Sequence, residues 1–153
     1  MRYRHKESMM KRNVHAIAGV LAFCFIAVFW TSTMVAELFF DHAAVASVKL
    51  AISYALIAFV PCMAIVGATG FAMGGKSTFP TLVAKRRRMP IIGANGLLIL
   101  IPAAIFLCSK AQSGEFDRSF YTVQLLELLA GAVNLFLMAQ NIRAGRQMSR
   151  RRS

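Results

Sequence analysis

Long apolar runs alternate along the chain with short polar or basic connectors. Three windows contain no Asp, Glu, Lys or Arg: Asn13 to Ala36, Leu50 to Gly75 and Met89 to Ser109. A fourth, Ser119 to Ile142, is interrupted only by Glu127. A helix rises about 1.5 Å per residue, so about 20 apolar residues cover a bilayer core of about 30 Å. Each window reaches that length. The pattern predicts an all-α polytopic membrane protein, a bundle of four transmembrane helices with short loops, over residues of about 14–36, 46–73, 90–109 and 119–142. Residues 1–153 then form a single integral membrane domain in the lipid bilayer, with basic tails at 1–12 and 143–153.

The connectors carry the residues that membrane helices place at interfaces. The first holds Glu37, Asp41 and His42. The second runs from Gly74 and Gly75 through Lys76 and Pro80 to Lys85, Arg86, Arg87 and Arg88. The third, Lys110 to Arg118, is polar and contains Gly114. Loops this short predict antiparallel packing of helices adjacent in sequence.

Composition supports the bilayer as solvent, with 58% hydrophobic residues and a mean hydropathy of +0.58. The net charge of +12 would suit a nucleic-acid binder if it were spread over a folded surface. It is confined instead to three blocks, with neither a reading surface nor interleaved aromatics, so nucleic acid is not an expected partner. Five Lys or Arg precede the first window, five lie in the second connector and five follow the fourth window, fifteen in all. The other two connectors offer Lys110 and Arg118, while Lys49 falls inside the start of the second helix. The positive-inside rule then puts both termini and the basic loop in the cytoplasm, N-in and C-in, with a bacterial inner membrane as the expected setting. The first apolar run exceeds the 7 to 15 or so residues of a cleaved leader and reads as a retained signal anchor. Lys85, Arg86, Arg87 and Arg88 can also attract anionic lipid headgroups, at about 1 kcal/mol for each basic residue.

Polar residues at membrane depth are costly and usually face the bundle interior. On the fourth helix Gln124, Glu127, Asn134 and Asn141 share an arc of about 100° with Gly131 and Met138. Glu127 is about 13 Å along the helix from Arg118. Lys49 enters the second helix from the same outer side, so an ion pair between the two is geometrically open, with snorkelling of Lys49 to the interface as the alternative. Asn95 adds an amide from the third helix. On the first helix, His15, Trp30, Thr33 and Glu37 share a face. His15 and His42 are about 40 Å apart if helical and cannot share a haem, so no cofactor is expected. Cys24, Cys62 and Cys108 lack metal-motif spacing and read as small apolar residues.

Gly70 and Gly74 form a GxxxG step that Gly67 extends, and Gly93 and Gly96 give the third helix a similar patch. These predict close helix packing, within the chain, in a homo-oligomer or against a membrane-protein partner. Pro61 and Pro102 predict kinks, and Pro90 the start of the third helix. There is no P-loop, Rossmann glycine pattern, HExxH, GxSxG or CxxC. The expected function is therefore that of a non-enzymatic membrane subunit or accessory protein. The alternative is a small transporter or proton-coupled carrier, in which Glu127 titrates and Gln124, Asn134 and Asn95 line a path.

Overall fold

Helices fill nearly everything between the polar connectors. The computed structural model describes residues 2–73 and 80–150, with the side chains of 9–72, 83–84 and 87–147 among them. Its elements are α1 (Arg2–Phe39), α2 (His42–Met73), α3 (Pro80–Asn95), a π-helical turn (Gly96–Leu100), α4 (Ile101–Gln112) and α5 (Arg118–Arg150). Four stretches, Met9–Phe39, His42–Ala72, Arg87–Gln112 and Arg118–Gln147, are long and apolar enough to cross a membrane. Among the described residues there is no strand.

Local chemistry fixes the turns at one end of the bundle, called outer here. Asp41 caps α2 by accepting the Ala44 N–H at 2.9 Å. At the close of α4, Gly114 adopts φ 70°, a left-handed conformation that a side chain would strain. Its N–H reaches the Ala111 carbonyl at 3.1 Å and the Glu115 N–H reaches the Lys110 carbonyl at 2.9 Å, the bond pair of a Schellman motif. Three residues later Asp117 caps α5, accepting from the Phe120 N–H at 3.0 Å and the Ser119 hydroxyl at 2.6 Å.

Packing follows the rule for helices in lipid, small residues inward and large apolar ones outward. Ala18, Ala22, Ala36, Ala103, Ala104, Ala111 and Ala130 are buried, whereas Tyr54, Ile57, Phe71, Leu97, Leu98 and Phe136 are exposed. α1 packs along α2, α4 lies on α2, and α5 touches α1, α3 and α4. Two apolar clusters result. The outer one joins Ala36, Val45, Leu107, Ala111 and Phe120, and the inner one joins Ala22, Ile26, Phe59, Ile92 and Met138. Between them lie the polar residues described below.

Two expectations about the third helix change. It begins at Pro80, and Pro90 lies inside α3 rather than at its start. The hydrogen bond that Pro90 removes falls in the basic stretch, at the polar end of the helix, where solvent can substitute for the missing donor. Pro102 sits at the beginning of α4, directly after the π turn, in which the Ile101 N–H bonds the Gly96 carbonyl. A proline ring clashes with the carbonyl four residues back in a regular α-helix, and the wider π turn accommodates it. Gly67 and Gly93 are expected at helix contacts, but among the described residues of the chain a Cβ on either meets nothing within 4 Å, so these two are not contact points between its own helices. Gly70 and Gly96 do lie at contacts, Gly70 against Met89 and His15, Gly96 against Asn134 and Met63. Gly74 lies outside the described residues.

Candidate functional site

Lys49 is seven residues into α2, about 10 Å from its outer end, and is 1% exposed. Its Nζ donates to Glu127 Oε2 at 2.5 Å and to Thr33 Oγ1 at 3.4 Å. Glu127 lies nine residues into α5, which also starts at the outer end, so counting from the turns puts the two charges at one depth. The pair thus ties α1, α2 and α5 together. Separating it would strand a charge in a low-dielectric interior, which costs several kcal/mol.

Further polar groups surround the pair. Glu37, one turn above Thr33, is within electrostatic reach of both Lys49 and His42, and its Oε1 is buried without a hydrogen-bond partner among the described residues. Gln124, one turn above Glu127, is 4% exposed, and neither of its amide atoms finds a partner among the described residues. From α4, Cys108 completes the surround. Towards the inner side, the Trp30 indole N–H donates to the Leu128 carbonyl at 2.9 Å. The Trp30 ring lies so close to Gly131 that a Cβ there would be 3.0 Å from Trp30 Cδ1. A cavity of about 40 Å³ lies beside Trp30, Ile52, Phe59, Ala104 and Glu127. It has room for water but not for a cargo molecule.

A second, uncharged layer follows. Asn95 Nδ2 donates to the Ala130 carbonyl at 2.8 Å and to Asn134 Oδ1 at 2.9 Å, while Asn134 Nδ2 donates to the Ile92 carbonyl at 3.4 Å. Asn134 is fully buried. Closer to the inner end, His15 Nδ1 and Thr69 Oγ1 are 3.0 Å apart. Asn141, also on the α5 stripe, has a buried Oδ1 without a partner among the described residues.

The structure therefore joins Lys49 to Glu127 and Asn95 to Asn134, and leaves the Gln124 amide and the Asn141 Oδ1 atom buried on the same stripe without a hydrogen-bond partner among the described residues. The shared face of α1 turns inward, with Thr33 on Lys49 and Trp30 on α5. Sequence reasoning missed the contact of Trp30 with Gly131. Its signal was available, because each residue lies on a polar arc already identified. At the α4–α5 turn Lys110 binds Glu115 at 2.7 Å and Asp117 at 2.8 Å. The Lys110 ammonium, then the Ser119 hydroxyl and the Phe120 N–H, hold the Asp117 carboxyl well below the usual carboxylate range.

Fold and site together define a class, a four-helix chain with the make-up of a multi-pass membrane protein whose helices are tied by an ion-pair layer and an amide layer. Compared with known protein families, curated proteins and solved structures, the chain matches none.

Proposed function

We propose that this is a non-enzymatic integral membrane subunit or accessory protein, inserted N-in and C-in, whose intramembrane polar groups lock its helices together and whose outer surface meets lipid and protein partners. The observation that carries this reading is the Lys49–Glu127 contact, in which the acid at membrane depth is already engaged by a cation that is 1% exposed. Asn95 and Asn134 are committed to helix joining in the same way. The fifteen-to-two distribution of basic residues supports the orientation, and a bacterial inner membrane suits it.

One observation favours a second reading, a proton-coupled carrier. A second carboxylate, Glu37, lies within electrostatic reach of Lys49 beside the Lys49–Glu127 contact, which puts more than one acid where a carrier would need a proton site. Two experiments separate the readings. The subunit reading expects a second membrane protein to co-purify in mild detergent, and recovery of this chain alone counts against it. The carrier reading expects proton flux in liposomes that Glu127→Gln abolishes. The subunit reading expects no flux from either protein.

A further inference from the structure

At the inner end of the bundle, α3 and α5 leave a cleft of about 270 Å³ between them. Ala84 and Arg88, four residues apart, line it from α3, and Gln140, Arg143, Ala144 and Gln147 line it from α5. That spacing is one helical face on each side. The register explains the meeting. Asn134 bonds the Ile92 carbonyl and Ile92 packs with Met138, and α3 leaves the inner end as α5 returns to it. Arg88, one turn before Ile92, is thereby brought opposite Gln140 to Gln147. The two alanines keep the floor of the cleft open, and four long donor-bearing side chains surround it.

Charge narrows what can enter. Among the described residues neither Arg88 nor Arg143 has a carboxylate within salt-bridge distance. Five of the six acids, Glu37, Asp41, Glu115, Asp117 and Glu127, lie towards the outer end; the sixth is Glu7, on α1. Two guanidinium forks and two amides without an acid suit phosphate, whose oxygens accept paired N–H donors. Outward along the same helix faces come Ile91, three residues from Arg88, and Phe136, four from Gln140, both apolar and exposed. A ligand with a phosphate at the cleft and hydrocarbon along these residues is an anionic phospholipid.

We infer that the cleft between α3 and α5 is a phospholipid site in which Arg88 and Arg143 grip the phosphate and Gln140 and Gln147 donate to its oxygens. The inference rests on the membrane reading above. It differs from diffuse attraction to the basic loop, because Arg143 is supplied by the other helix. Lys85 and Arg86 have side chains outside those described, and Arg87 is exposed outside the lining set.

The test is native mass spectrometry of the full chain in detergent, titrated with phosphatidylglycerol or phosphatidylcholine. Wild type is expected to retain one phosphatidylglycerol, in preference to phosphatidylcholine. Arg88→Gln with Arg143→Gln should weaken that binding at least about tenfold. Arg2→Gln with Arg4→Gln, which removes the same charge elsewhere, should leave it unchanged. Equal loss in both double variants, or none in the first, overturns the site. Competition by millimolar inorganic phosphate overturns the lipid assignment in favour of a free anion. Release of the wild type from membranes by alkaline carbonate overturns the membrane reading itself; retention there with unaltered lipid binding in the Arg88 and Arg143 variant refutes the site alone. Thermal melting of each variant separates lost binding from lost folding.

Discussion

Lys49 shows how one side chain can organise a bundle of long apolar helices. A lysine near a helix end can reach the interface by extending its alkyl stem. Seven residues into α2 and facing α1 and α5, it instead donates to Thr33 and Glu127. Its depth and that of Glu127 were legible from the sequence, because each is counted from an outer connector. Its rotation was not, since α2 is apolar on nearly every side and carries no periodic signal to orient it. Gln124 raises the opposite question, because an amide buried without partners costs about 1 to 3 kcal/mol. Gln124→Met is expected to raise thermal stability in detergent by about 1 kcal/mol; a clear loss would show that the amide has a partner essential to the fold. Gly131 is constrained by the Trp30 ring. Gly131→Leu should lower stability by about 1 to 3 kcal/mol and alter the environment of the single tryptophan, read by its fluorescence.

At the scale of elements, the outer turns are specified by short polar signals that survive the apolar context. Gly114 and Asp117 mark the end of α4 and the start of α5, and both are plain in the sequence. The α4–α5 turn also titrates. Asp117 has a carboxyl pKa held below its unfolded value of about 3.9, so its capping contribution is present above that pH and is lost as pH falls through the folded value. Amide exchange at Phe120 should therefore stay slow from neutral pH down to about pH 4 and lose protection under stronger acid. Asp117→Ala should lose that protection already at neutral pH. The third span was less legible. Pro90 looked like a helix start because proline favours the first turn, yet α3 continues through it. The π turn before Pro102 has no sequence signature beyond the proline itself.

For the whole molecule, an inverted packing logic explains both what could be read and what could not. Exposed apolar residues and buried alanines make hydropathy a good guide to four long apolar helices but a poor guide to which face meets which neighbour. Polar residues supplied most of the missing orientation. The stripe on α5 and the face on α1 both turn inward, whereas the glycines at 67 and 93, read from spacing alone, meet no other helix among the described residues of the chain. The bundle is thus layered as apolar, ionic, amide and apolar from its outer to its inner end. The central claim is that the ionic layer is a lock between helices. It is tested most directly by a double-mutant cycle of Lys49→Met and Glu127→Met, followed by thermal melting in detergent. Each single variant strands one buried charge and should lose about 3 kcal/mol, whereas the double variant, which removes both charges, should return close to wild-type stability. Single variants as stable as wild type, or losses that simply add in the double, would contradict it.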